Sequence, residues 1–150
     1  MITVLTVGKI KKGYMKDGES DYLKRISKFD KIRIIETDEK GDDQISAAAE
    51  SDALKLLIPP QAYTVALDVG GKQMTSIKFA ETMQSIYSVK STNICFLIGG
   101  SRGLSAELSE SADMRISFSM MTFPHQLFRV ILLEQIYRAF KINNNQTYHK

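Results

Sequence analysis

The chain has 150 residues, 43% hydrophobic and 25% charged, with a formal net charge of +3, a balance that excludes a disordered segment and fits one globular domain. Its single cysteine, Cys95, cannot form an internal disulfide, and two widely separated histidines offer no spaced ligand set for zinc, so a metal-free fold in a reducing cytoplasm is expected. The longest apolar runs are only a few residues, as at 94–98, and the opening residues carry no basic leader, so neither a membrane span nor an export signal is expected.

In chain order, short β-rich runs alternate with longer amphipathic stretches, the pattern of an α/β domain with a mainly parallel sheet flanked by helices. A strand is predicted over 2–7, ended by Gly8. After a basic loop, the spacing of Tyr22, Leu23, Ile26 and Phe29 predicts a helix over 20–29. A second strand is predicted over 32–36, then an acidic loop, 38–43, and an Ala-rich helix over 45–57 that Pro59 and Pro60 stop. A third strand, 63–67, is followed by a predicted Gly70-Gly71 turn. Thr75 and Ser76 are candidate caps for a helix reaching about Ser88, with Ile77, Ala80, Met83 and Ile86 or Tyr87 facing inward. The fourth strand, 94–98, runs into Gly99-Gly100-Ser101-Arg102-Gly103, and Ser105 caps a short helix whose Leu108 and Ala112 face the sheet. A fifth strand begins at 115–117, and a last helix runs from about His125 to Ile142.

That last helix carries Leu127, Phe128, Val130, Ile131, Leu132 and Leu133 around its whole circumference. It therefore calls for burial on two sides, either within one protomer or against a second copy in a symmetric homodimer. Charge is unevenly spread: residues 125–150 hold four basic groups and one acidic group. Such a tail either meets RNA phosphates or is a solvated helix face.

Three segments carry chemical signals. "ICFLIGGSRGLS", residues 94–105, is a strand, a glycine-rich turn and a capped helix, which lets backbone groups approach a ligand at the carboxyl edge of a sheet. It lacks the Gly-Lys-Ser/Thr of a P-loop and the Gly-x-Gly-x-x-Gly of dinucleotide binding. "LDVGGK", residues 67–72, is a second glycine segment after the third strand; together the two form either one pocket or two plain turns. "SFSMMTFPHQLFRV", residues 117–130, mixes apolar side chains with backbone and hydroxyl groups, as a purine pocket does, before Pro124 starts the last helix. Cys95 lies mid-strand and reads as a small buried apolar group, and Arg138 after Glu134 reads as an i,i+4 ion pair.

Taken together, "LDVGGK", "FLIGGSRGL", "SFSMMTFPHQLFRVILLEQIYRAFKI" and the terminal "YHK" resemble the small single-domain SPOUT methyltransferases that modify N3 of a pseudouridine in 23S ribosomal RNA, over nearly the whole chain. The resemblance implies S-adenosylmethionine as methyl donor, a homodimer, and a C-terminal trefoil knot, which no periodicity would reveal. It places cofactor contacts at Leu67, Gly99, Gly100, Ser119, Met120, Met121, Thr122, Phe123 and Pro124. RNA-facing groups are expected at His125, Arg129, Arg138, Tyr148, His149 and Lys150, with His149, Arg138 and Tyr148 nearest the chemistry and His149 as the expected proton acceptor.

A domain this small has little surface for reading an extended RNA, so the assembled ribosome is the expected substrate. Two departures from the family's commoner pattern stand out: Ser101 and Arg102 replace Pro and Glu in the glycine loop, and the tail reads "NNNQTYHK". A noncatalytic nucleotide-binding module bound to the ribosome is the competing expectation. A nicotinamide oxidoreductase is disfavoured by "VGKIKKG" after the first strand.

Overall fold

A computed structural model describes residues 1–149. It contains β1 (Ile2–Val7), α1 (Gly13–Ile26), β2 (Ile32–Thr37), α2 (Gln44–Lys55), β3 (Tyr63–Gln73), α3 (Ser76–Ser85), β4 (Ile94–Ile98), α4 (Ala106–Ser111), β5 (Met114–Ser117) and α5 (His125–Asn143). The five strands form one sheet in the order β2-β1-β4-β3-β5, and every neighbouring pair is parallel.

Strand alternation divides the core into two layers. Ile2 and Val4 of β1 and Ile94, Phe96 and Ile98 of β4 point to the face covered by α1, α3 and α5, where they meet Ile26, Phe79, Met83, Leu132 and Ile136. Leu5, Val7, Cys95 and Leu97 point the other way, onto Leu54 of α2 and Leu108 of α4. A parallel sheet covered on both faces needs strands that are apolar on both sides, and β1 and β4 are buried along their entire lengths. Burial pushes the Cys95 thiol up to about 12, in keeping with a packing role.

Several boundaries differ from expectation. The first helix starts at Gly13, ahead of its apolar face, and ends at Ile26; Phe29 lies in the following turn but still stacks on Phe140, with ring centroids 5.4 Å apart. Gly70 and Gly71 are no turn. Leu67 and Lys72 both pair with Ile116, so residues 68–71 bulge out of the ladder and β3 resumes to Gln73. Thr75, not Ser76, caps α3 by accepting from Lys78 N; Ile77 is 49% exposed instead of inward, and a single π-helical turn, Ile86–Lys90, follows the helix. Ala112 lies just past α4, which ends at Ser111.

The apolar α5 is covered by the sheet and flanked by α1 and α3. Arg129, Leu132, Leu133, Ile136 and Ala139 are its buried positions, whereas Leu127, Val130 and Ile131 remain half-buried. Among the described residues no helix is long and apolar enough to cross a membrane.

Candidate active site

The carboxyl ends of β3, β4 and β5 open onto one cleft of about 260 Å³. All three segments singled out in the sequence line it, so the glycine segments form one pocket and not separate turns.

The glycine loop after β4 is folded tightly on itself. Gly103 N donates to Gly100 O at 3.0 Å, and a Cβ on Gly99 would collide with the backbone of Gly103. A Cβ on Gly100 would lie 2.8 Å from Glu50 Oε2. Glu50 is buried under the loop and accepts from Lys40 N at 2.6 Å. Ser101 and Arg102 fasten the loop from outside: Ser101 Oγ donates to Asp42 Oδ1 at 2.6 Å and Arg102 Nε to Asp42 O at 3.1 Å. The two residues that depart from the common pattern thus tie the glycine loop to the acidic β2–α2 connection.

Asp68, at the start of the β3 bulge, gathers three donors: Gly70 N at 3.0 Å, Ser109 Oγ at 2.5 Å and Arg115 Nη2 at 2.8 Å. Burial alone would push its carboxyl up, but the bonds from Ser109, Gly70 and Arg115 outweigh it and hold the group below its usual range. On the third wall, Ser117 Oγ donates to Ser119 O and Met121 N to Ser119 Oγ, forming a short turn. Phe118 packs edge-on against Phe128 at 5.2 Å, and Phe123 stacks on Phe128 at 6.4 Å.

Where α5 enters, His125 lines the cleft with its Nε2 buried and unpartnered, 3.0 Å from where a Cβ on Gly8, whose φ is +80°, would stand. Gln126 Oε1 accepts from Lys11 N at 2.9 Å, tying the basic β1–α1 loop to the same helix start.

A second polar cluster lies at the far end of α5. Glu134 Oε1 accepts from Arg138 Nε at 3.0 Å, Arg138 Nη2 at 2.7 Å and Tyr148 Oη at 3.2 Å. The Arg138 guanidinium sits 4.8 Å from the centroid of the Tyr148 ring, and its Nη1 lies 3.1 Å from His149 Nδ1. None of these four residues lines the cleft. Arg138 follows His125 by more than three helical turns, about 20 Å along the axis.

The chain matches the family model described as "Predicted SPOUT methyltransferase" over residues 1–149. The chain belongs to the SPOUT methyltransferase family. Among its relatives, the "Ribosomal RNA large subunit methyltransferase H" of Ruminiclostridium cellulolyticum is 46% identical, and that of Clostridioides difficile 45% identical, each over 99% of both chains. Among solved structures, a probable methylase family protein from Haemophilus influenzae superposes with a TM-score of 0.58 at 12% identity, covering 99% of this chain and 70% of its own. The tRNA (m1G37) methyltransferase of Aquifex aeolicus gives 0.55 at 11% identity, covering 91% and 69%. Both share the fold.

Of the positions expected to meet the cofactor in this SPOUT chain, Leu67, Gly99, Gly100, Ser119, Met121, Thr122 and Phe123 line the cleft. Met120 and Pro124 do not; Met120 is 86% exposed, and Pro124 precedes the first turn of α5. Arg129 is 1% exposed, with Nε 3.1 Å from Glu19 Oε2 and Nη1 2.7 Å from Glu36 Oε1, so it joins α1, β2 and α5 inside the protomer, a position at odds with the RNA-facing role expected of it. His125 forms part of the cleft wall. Arg138, Tyr148 and His149 are brought together, and Lys150 lies outside the described residues. Sequence reasoning passed over Asp68 and Arg102 as cleft-lining residues. The signal was present for Asp68, a lone carboxylate ending an apolar strand just before two glycines.

Proposed function

We propose that this protein transfers a methyl group from S-adenosylmethionine to N3 of a pseudouridine in 23S ribosomal RNA, acting in the cytoplasm on the assembled ribosome as a knotted homodimer. The observation that carries the reading is the coincidence of all three candidate segments in one cleft, in a chain whose end-to-end relatives are named as large-subunit ribosomal RNA methyltransferases.

The cleft suits the cofactor. Gly99 and Gly100 line the cleft and can meet an adenosine through main-chain groups, while Leu67, Ile98, Leu104 and Met121 supply apolar walls for a base and a thioether chain. When bound, S-adenosylmethionine supplies a methyl group on a sulfonium whose sulfur leaves neutral, so the leaving group needs no acid. The chain's own task is to exclude water, fix the ring in line with that methyl, and favour the N3 anion, the form that attacks.

Distance supports the dimer. The Arg138, Tyr148 and His149 cluster is too far along α5 to serve the cleft of its own protomer. Two α5 helices paired antiparallel about a two-fold axis carry each tail to the partner's cleft. Apolar surface suited to such pairing is present: Val130 and Ile131 are half-buried, and Ile77, Met120 and Met121 are 49%, 86% and 73% exposed. The knot is proposed from family membership, with α5 passing through the loops that form the cleft.

The test is methyl transfer from labelled S-adenosylmethionine to ribosomes from cells lacking the protein, with mass spectrometry of the 23S fragments. One added methyl on a single pseudouridine is the expected result. Cofactor binding without transfer would instead mark a noncatalytic module, and efficient methylation of a short naked hairpin would remove the ribosome from the proposal. Light scattering is expected to give twice the chain mass.

A further inference from the structure

The contact between Arg138 Nη1 and His149 Nδ1, at 3.1 Å, carries more information than its length. A guanidinium is always protonated and has no lone pair to offer, so it can only donate. The contact is therefore a hydrogen bond only when Nδ1 holds no proton, which leaves the ring proton of a neutral His149 on Nε2.

The surrounding groups are equally committed. Glu134 Oε1 already accepts three bonds, from Arg138 twice and from Tyr148, and its Oε2 accepts from Gln135 Nε2 at 2.7 Å. The Tyr148 phenol donates to Glu134, and burial first, then its bond with Tyr22 and the charge of Glu134, push it well above the ordinary tyrosine range. From α1, Tyr22 and Arg25 face the same cluster, with the Arg25 guanidinium 5.7 Å from the Tyr22 and Tyr137 rings and paired at 2.8 Å with the Asp21 carboxylate on its own helix. Among the described residues, the side chain hydrogen-bonded to His149 is Arg138, which can only donate.

We propose that His149 is a hydrogen-bond donor in catalysis and not the proton acceptor, with Arg138 as the positioning residue that fixes its Nε2–H tautomer. The inference rests on the methyltransferase reading above. In the reaction, the N3 proton passes to solvent water or hydroxide, and the resulting charge spreads over N3 and its two flanking carbonyl oxygens. Nε2–H of His149 donates to one of those oxygens and keeps its proton throughout. The N3 electron pair forms the bond to the methyl carbon as the carbon–sulfur bond breaks, leaving its pair on sulfur. A positioned donor of this kind acts as an oxyanion-hole donor does.

The chain has only two histidines, so nitrogen-15 NMR of the full-length, histidine-labelled protein reads the tautomer directly, with His125→Gln assigning the signals. The expected pattern is an unprotonated Nδ1 and a protonated Nε2 on His149, lost to a tautomer mixture in Arg138→Met. A wild-type His149 with its proton on Nδ1, or evenly divided, overturns the proposal in an enzyme that methylates normally. In the transfer assay, His149→Ala should lower kcat about 100-fold. His149→Gln retains an amide N–H near the Nε2 position but cannot titrate; it should stay within about tenfold of wild type and keep the wild-type pH profile. A Gln variant as inactive as Ala, with the acid limb of the profile gone from both, restores His149 as the base. Wild-type protein that transfers no methyl overturns the functional reading itself and the donor role with it.

Discussion

Arg129 donates from Nη1 to Glu36 Oε1 at 2.7 Å, from a side chain that is only 1% exposed. With Glu19 on its other side, this pair pins the start of α5 to α1 and β2, one turn beyond His125 in the cleft wall. Buried ion pairs are costly to break from one side, because the remaining charges lose their partner. Arg129→Met should therefore lower stability by about 3 kcal/mol in urea denaturation. The salt dependence of ribosome binding should be unchanged, since a buried guanidinium neutralises no phosphate. A smaller salt slope in the variant would return Arg129 to the RNA interface.

Asp68 and Glu19, both partly buried, predict opposite pH effects. Asp68 is held below its ordinary value of 3.8, so it contributes stability that is present above that value and lost as pH falls through its folded-state ionisation. Glu19 is raised above 4.5, chiefly by burial, so its contribution is present below 4.5 and lost as pH rises through its folded-state ionisation. In melting temperatures followed against pH, Asp68→Asn should flatten the acid limb, and Glu19→Gln should remove part of the decline on the rising side.

Substituting Gly100 should weaken cofactor binding while leaving the secondary structure in place. A Cβ there meets Glu50, which is buried and already held by Lys40 N, so the loop must move outward to relieve the contact. Gly100→Ala is expected to weaken S-adenosylmethionine binding at least tenfold in calorimetry, about 1.4 kcal/mol, while circular dichroism stays unchanged. Wild-type affinity in this variant would mean that the loop does not meet the ligand.

Gly8 and His125 should behave as a coupled pair. Gly8→Ala places a side chain at φ +80° and 3.0 Å from His125 Nε2, combining backbone strain of about 1–2 kcal/mol with a steric clash. Removing the ring with His125→Ala should relieve only the clash, giving a coupling energy on the order of 0.5–1 kcal/mol in a double-mutant cycle. Strict additivity would show that the two do not press on each other.

How much of this was legible in the sequence depended on whether the signal was local. Strand β4 is apolar throughout and β1 departs from that only at Thr3 and Thr6, because both faces of each strand are buried, and the limits of α5 are marked by Pro124 and by the polar run after Asn143. Three glycine-bearing or Met-rich segments fell at strand ends, which places them together in any parallel sheet. The reverse failures are equally physical. Gly70-Gly71 has turn chemistry, yet the chain bulges and rejoins β5 at Ile116, a pairing set by tertiary register. Arg129 finds Glu19 and Glu36 on elements far away in sequence, so nothing near it announces burial. Ile77 sits in an inward register of α3 but emerges beside its capped first turn, where no element covers it.

The strand order also governs how the protein is made. Strand β4 pairs with β1 through Ile2↔Ile94 and with β3 through Tyr63↔Ile94, so the strand that separates them is synthesised after both. Until it emerges, β1 and β3 have bare hydrogen-bonding edges with apolar faces, and they must be kept from pairing with each other or with neighbouring chains. The helix that seals one face comes later still. Closing such distant pairings before they are rewarded makes refolding slow, in the millisecond-to-second range or beyond, and leaves the nascent chain dependent on dilution or chaperones. The cleft thus becomes competent only once α5 has been synthesised and docked.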